Sequence, residues 1–159
     1  MGKIGVIVTV IQLGTILTLV FVGVLSMHGN SNWTSNMVNN YAPLGIGGVV
    51  AAMGLTFIAF EGYEIIVQTG EEVKNPKKNI PRVIFISLTL VVVLYCLVAF
   101  VSIGAFSPNG IIGEPAWKFI GNQGDLGVMK AAETFLPYGS LIILISVTSS
   151  IYSITYIQL

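Results

Sequence analysis

The chain has 159 residues, of which 54% are hydrophobic and only 9% are charged, and its formal net charge is zero. Soluble domains carry roughly 25% charged residues, so this composition excludes a fully water-exposed surface and indicates lipid as the main solvent. A net charge of zero gives no general attraction to nucleic acid. The single cysteine excludes an internal disulfide and a Cys-based zinc site.

Four long apolar stretches predict four transmembrane helices, at about residues 4–27, 45–70, 82–106 and 136–157. Each stretch is near or above the ~20 residues with which a helix crosses a bilayer. The first stretch follows Lys3 as in a signal peptide, but it is longer than the apolar region of about 7–15 residues in such a peptide, so we interpret it as a retained helix. The predicted fold class is all-α and integral to the membrane, with a single transmembrane domain over residues 1–159.

Basic residues are shared unevenly between the loops that connect these stretches. The loop at residues 71–82 holds four of them: Lys74, Lys77, Lys78 and Arg82. Residues 28–43 hold none, and residues 107–135 hold two. Because cytoplasmic loops carry the excess of Lys and Arg, we expect the 71–82 loop, Lys3 and both termini to be cytoplasmic. The chain ends at Leu159 inside an apolar stretch, which we interpret as a truncation.

Prolines predict the helix boundaries around the basic loop. A residue before proline avoids the α region, so Asn75-Pro76 is expected to end the second helix. Proline is tolerated as the first residue of a helix, so Pro81 is expected to begin the third. Further along, residues 124–135 have helical periodicity but carry charges, and we expect an external amphipathic segment that leads to Pro137, where the last span begins.

Two carboxylates, Glu61 and Glu64, lie within the second apolar stretch. Each charged residue at that depth costs about 2.5–3.5 kcal/mol, which makes intramembrane acids candidates for function. Gly62 lies between them and weakens the helix, so we predict a break near residues 60–63. Backbone groups released by such a break can bind a small charged solute. The alternative is that the glycines allow close helix packing and the acids pair with basic residues elsewhere.

Other polar residues are weaker candidates. The fourth stretch carries a group of hydroxyl side chains: Ser146, Thr148, Ser149, Ser150 and Ser153. We favour helix packing and interhelical hydrogen bonds for this group, with a cation or substrate contact as the alternative. Gln12 is the one strongly polar side chain inside the first stretch. The sequence shows no metal-ligand spacing and no nucleophile–base pair, so we expect neither a metal site, a cofactor nor an enzyme.

The run FIAFEGYEIIVQTGEEVKNPKKNIPRVIF at residues 57–85 resembles the amino acid–polyamine–organocation permease family. It is similar to the family's sixth helix, the following loop and the start of the seventh helix. The flanking stretches resemble helices five, seven and eight. The resemblance implies part of a twelve-helix fold of inverted repeats, in which helices one and six are both broken at the membrane midplane. It also implies that the remaining helices of the permease are partners of this chain.

The resemblance also implies a set of site residues. Substrate-binding positions would be Ile58, Ala59, Phe60, Glu61, Gly62 and Tyr63. The carbonyl groups around Ile58, Ala59 and Glu61 would receive the substrate ammonium, and the rings of Phe60 and Tyr63 would wall the site. Glu64 would serve in proton coupling or gating. Some proton-coupled relatives carry a lysine in helix five, where this sequence has Gln12.

The sequence therefore predicts the helix-five-to-eight portion of a secondary amino-acid transporter in the cell membrane, inactive as an isolated chain. The substrate is expected to be an amino acid or amine. The sequence does not identify the coupling ion, for which a proton is a candidate. One alternative is a non-transporting membrane remnant or scaffold subunit. A further alternative is a proton or cation pore lined by Glu61 and Glu64.

Overall fold

The structure is a computed structural model that describes residues 3–30, 33–38, 42–58, 73–106 and 115–158. Within these ranges the regular elements are all helices, which confirms the all-α fold class. They are α1 (Lys3–Gly29), α2 (Trp33–Val38), α3 (Gly45–Ile58), α4 (Pro76–Gly104), α5 (Ala116–Asn122), a 3-10 helix (Gly124–Leu126), α6 (Gly127–Glu133) and α7 (Gly139–Gln158). The chain forms two compact units, residues 1–41 with 97–159 and residues 42–96.

Helix α1 buries a single stripe of its surface. The positions that are buried or half-buried recur every three or four residues, through Gln12, Leu19, Gly23 and Met27. The opposite side is apolar and exposed, with Phe21 66% accessible. One face of α1 therefore packs against protein while the other is suited to lipid. By length and composition, the helices Ile4–Gly29 and Pro76–Gly104 are both able to cross a membrane.

Helix α4 begins five residues earlier than the sequence predicted. Its first residue is Pro76, and Pro81 lies inside the helix, so the expected start at Pro81 is wrong. Asn75, the residue directly before the helix, has a φ of 53°, which is a left-handed conformation that asparagine tolerates. The carbonyl of Asn75 accepts hydrogen bonds from the backbone N–H groups of Lys78 and Asn79. A proline at position six of a helix removes only one hydrogen bond, near the end where water can replace it.

Residues 115–138 form short helices rather than one amphipathic helix. The predicted segment at 124–135 consists of the 3-10 helix followed by α6. A turn then leads to α7, which begins at Gly139, two residues after Pro137. In this turn Tyr138 has a φ of 59°. A Cβ at Gly139 would lie 2.8 Å from the backbone of Ala132, so the turn brings α6 and α7 into close backbone contact.

The buried core lies where α1, the end of α4, α6 and the start of α7 meet. Three adjoining clusters build it: Leu19 with Ala132 and Leu136, Met27 with Val101 and Ala105, and Phe106 with Ala116 and Ala131. The rings of Phe106 and Phe119 lie 5.0 Å apart between centroids. This core fixes α1 against α7, the two helices with the most extensive contact.

Candidate functional site

Helix α3 leads to the predicted substrate site. It begins at Gly45, whose φ of +60° suits glycine, and it continues for 14 residues to Ile58. Near its end, the hydroxyl of Thr56 donates a 2.7 Å hydrogen bond to the carbonyl of Ala52. A rise of 1.5 Å per residue places Ile58 about 20 Å along the axis from Gly45. The hydrocarbon core is ~30 Å thick, so a helix that enters the membrane at Gly45 carries Ile58 deep into it.

The structure describes only the first of the predicted site residues. Ile58 is the last residue of α3. The others lie outside the described residues: Ala59, Phe60, Glu61, Gly62, Tyr63 and Glu64. The predicted helix break near residues 60–63 and the clustering of the two carboxylates therefore stay predictions. The start of α3 agrees with the predicted start of the second span at residue 45.

The hydroxyl groups on α7 divide between two faces of the helix. Four of them are on its half-buried face: Ser146, Ser149, Ser150 and Ser153. Thr148 is exposed, and its hydroxyl donates a 2.7 Å hydrogen bond to the carbonyl of Leu144 in the same helix. The serines therefore follow the side of α7 that packs against protein. Their positions support the packing role that we favoured for them, because small residues let helices approach closely.

The contacts between α1 and α7 show that the two helices run antiparallel. Ser26 donates a long hydrogen bond of 3.4 Å to the carbonyl of Phe135, just before α7. Leu19, seven residues earlier on α1, belongs to the buried cluster against which Ile142 and Ile143 of α7 pack. Because two antiparallel helices rise equally per residue, seven residues back along α1 correspond to about seven residues forward toward and along α7. A further step brings Gln12 level with residues 149–150.

This register creates a neutral polar seam, which we define as Gln12, Ser146, Ser149 and Ser150. Gln12 is half-buried on the stripe of α1, and the serines are half-buried on α7. Thr15 is also on this stripe, but its hydroxyl donates to the carbonyl of Gln12 at 2.8 Å and is satisfied locally. The seam offers amide and hydroxyl groups, which are the kind of polar group that stabilises helix association in membranes, and none of its members titrates near neutral pH. The sequence identified Gln12 and the serines as separate polar residues, but it did not predict that they lie at the same level of two neighbouring helices.

One ion pair lies beside the turn into α7. Nζ of Lys130 is 2.9 Å from Oε2 of Glu133, and both side chains are partly exposed. The hydrogen bond from Lys130 lowers the pKa of Glu133, and its positive charge and a hydrogen bond from Ser140 act in the same direction. Glu133 is therefore ionised at neutral pH. The stabilisation from this pair is present above the unfolded-state pKa and is lost as the pH falls through the lowered pKa.

Comparison with known proteins decides the family. The amino acid permease family model matches residues 1–158, nearly the whole chain. The chain belongs to the amino acid permease family. This confirms the resemblance carried by residues 57–85 and the membrane character of the chain. Membership in a permease family points to transport rather than to enzymatic chemistry.

Several curated relatives of this permease chain are transporters. The methylthioribose transporter of Bacillus subtilis is 30% identical over 128 residues, which are 78% of this chain and 26% of that protein. The branched-chain amino acid permease BcaP of the same organism is 34% identical over 90 residues, 56% of this chain and 18% of that protein. The uncharacterized amino acid permease YvbW, also of Bacillus subtilis, is 31% identical over 152 residues, which are 96% of this chain and 34% of that protein.

The permease chain spans about a fifth to a third of the length of these relatives. No solved structure matches it significantly.

Proposed function

We propose that this chain forms the helix-five-to-eight portion of a secondary transporter for amino acids or related amines. The observation that carries the proposal is the amino acid permease match over residues 1–158. Relatives named as amino-acid permeases support the substrate class, and the methylthioribose transporter shows that related proteins are named for other solutes. We infer four membrane crossings with both termini in the cytoplasm, because the basic residues concentrate in the 71–82 loop.

In this proposal residues 58–63 form half of the substrate site. A break in the helix there releases backbone carbonyl groups, which accept hydrogen bonds from the substrate ammonium. Phe60 and Tyr63 wall the pocket, and Glu64 exchanges a proton or gates access. The physical support is the depth of Ile58 along α3 together with the cost of keeping two carboxylates in lipid, which only a polar or water-lined cavity relieves.

We further propose that residues 1–159 do not transport by themselves. A zwitterionic amino acid needs partners for its carboxylate as well as its ammonium. The second apolar stretch offers carbonyl groups and acids. In the described part of the chain the other long helices, α1, α4 and α7, are continuous, so they supply no second break with clustered amide donors. A carboxylate without partners in a water-poor cavity costs several kcal/mol, which is enough to remove millimolar affinity. Alternating access also requires one repeat to move against its inverted partner.

A chimera tests the proposal. Residues 45–106 of this chain would replace the matching segment of the branched-chain permease BcaP, and saturable leucine uptake into cells would be measured. We expect the chimera to transport and Gly62→Leu to abolish uptake by filling the cavity at the break. Gly54→Leu is the matched control, since a Cβ at Gly54 meets no atom within 4 Å and the substitution should leave uptake intact.

Other outcomes of the same test separate the alternatives. Equal loss of uptake in both glycine variants, with normal amounts of protein in the membrane, would count against a site at Gly62. A proton flux that persists without leucine and does not saturate would favour a pore lined by Glu61 and Glu64. A chimera that inserts normally but never transports would favour a non-transporting remnant or scaffold subunit.

A further inference from the structure

Four basic residues lie within a stretch of nine residues where α4 begins. Lys74, Lys77, Lys78 and Arg82 are all exposed. The Asn79 side-chain amide donates a hydrogen bond back to the carbonyl of Lys74, which ties the residue before the helix to its first turn. The backbone N–H of Lys78 is bonded to the Asn75 carbonyl. The segment is therefore a fixed start of a helix, and its cations are presented from one short stretch.

The position of these cations along α4 matches the headgroup layer of a bilayer. From Val83 to Gly104 the helix carries no charged residue, and 22 residues rise about 33 Å, close to the ~30 Å of a hydrocarbon core. Arg82 directly adjoins this apolar part. Lys78 lies about 6 Å further out and Lys77 about 7.5 Å further out. The headgroup layer is roughly 5–8 Å thick on each side, so these three cations reach the level of the lipid phosphates.

The charges available at this segment favour an anionic partner. In the part of the chain that the structure describes, the carboxylates belong to Asp125 and Glu133, and the ion pair at Glu133 is made by Lys130. Even when Glu71 and Glu72 are counted, residues 71–82 hold four basic and two acidic residues, a net charge of +2. Clusters of Lys and Arg beside a transmembrane helix attract anionic lipids.

We propose that Lys74, Lys77, Lys78 and Arg82 form a binding site for the phosphate group of anionic phospholipids. The basic segment holds the lipid headgroup while the apolar part of α4 contacts its acyl chains. This site is distinct from the proposed substrate site, and binding does not depend on transport activity. The assignment to the cytoplasmic leaflet follows from the orientation proposed above, whereas the binding itself does not.

Native mass spectrometry of the full chain, purified in detergent, tests the site. The protein is offered equal concentrations of phosphatidylglycerol and phosphatidylcholine, which share the phosphodiester but differ in net charge. We expect more phosphatidylglycerol adduct, and a loss of roughly fivefold for each cation replaced by glutamine. Lys118→Gln with Lys130→Gln removes two positive charges elsewhere in the chain, so it is the matched control for a double replacement at the site and should leave the adduct unchanged.

A second pair of variants keeps the test decisive if replacing all four cations by glutamine prevents folding. Lys78→Gln with Arg82→Gln should weaken phosphatidylglycerol binding, whereas Lys77→Arg with Lys78→Arg should retain it, at unchanged helical content by circular dichroism. Equal phosphatidylglycerol binding by the glutamine variants and the wild type would overturn the site. Binding of inorganic phosphate that displaces the lipid would overturn its assignment to a headgroup and indicate a free anion instead.

Discussion

Gly23 and Val101 are in such close contact that a methyl group on Gly23 would lie 1.9 Å from Cγ1 of Val101. Val101 is fully buried, and Cε2 of Phe135 would lie 3.2 Å from the same methyl group, so Val101 has little space to move away. We expect Gly23→Ala to destabilise the chain, since overpacking costs about 1–3 kcal/mol. Thermal unfolding in detergent measures this change.

Gly14 provides the control for that prediction within the same helix. A Cβ at Gly14 meets no atom within 4 Å. Gly14→Ala should therefore be neutral or stabilising by up to about 1 kcal/mol, because alanine favours a helix. Equal unfolding temperatures for the two variants would contradict the close packing of α1 against α4.

Ser102 is expected to respond to substitution differently from Ser26. The hydroxyl of Ser102 is buried and makes no hydrogen bond with the described part of the chain. Ser102→Ala should leave stability unchanged or raise it, because a buried polar group without a partner costs about 1–3 kcal/mol. Ser26→Ala removes the bond to Phe135 and should lower stability slightly. A marked loss of stability in Ser102→Ala would reveal a partner that the described residues do not show.

The proposed topology predicts which added cysteines an impermeant thiol reagent reaches from outside. Cys96 is exposed on α4, so the experiment needs a Cys96→Ser background. Single cysteines at Asn36 and Gln123 should react in intact cells. A cysteine at Lys78 should react only after the membrane is permeabilised. Labelling at Lys78 in intact cells would reverse the proposed orientation.

The role proposed for Glu64 predicts a change in the pH dependence of uptake. An unpaired carboxylate deep in lipid is costly, so a coupling acid there takes up and releases a proton during transport. In the chimera with the branched-chain permease, Glu64→Gln should flatten the pH profile while substrate binding is retained. Glu71→Gln, in the charged loop, should leave the profile unchanged. An unaltered profile in Glu64→Gln would remove this residue from the coupling mechanism.

Local signals in the sequence were sufficient for some elements and insufficient for others. The start of α3 at Gly45 was predicted because a polar, proline-containing loop changes there to an apolar run. The start of α4 was predicted wrongly, because Pro76 and Pro81 are both compatible with the first position of a helix. What decides between them is the left-handed conformation of Asn75 and the bonds to its carbonyl, which depend on three-dimensional geometry.

The polar seam shows the other limit of sequence reasoning. Gln12 and Ser149 are separated by most of the chain, and each looked like an isolated polar residue. Their common level follows only from the antiparallel register of α1 and α7, which the Ser26–Phe135 hydrogen bond and the cluster around Leu19 define. The substrate site was predicted from residues 57–85, and since Ile58 is the only one of its residues that the structure describes, its geometry stays a prediction.

The neutrality of the polar seam has an electrical consequence. Moving one elementary charge through the membrane field requires about 2.3 kcal/mol per 100 mV, whereas moving a neutral amide or hydroxyl requires almost none. The seam between α1 and α7 carries no net charge, and residues 4–27, 45–60, 83–106 and 139–158 contain no Asp, Glu, Lys or Arg. A rearrangement of α1 against α7 would therefore contribute little gating current, and within this chain's apolar spans voltage sensitivity of transport would arise from Glu61, Glu64 and the substrate.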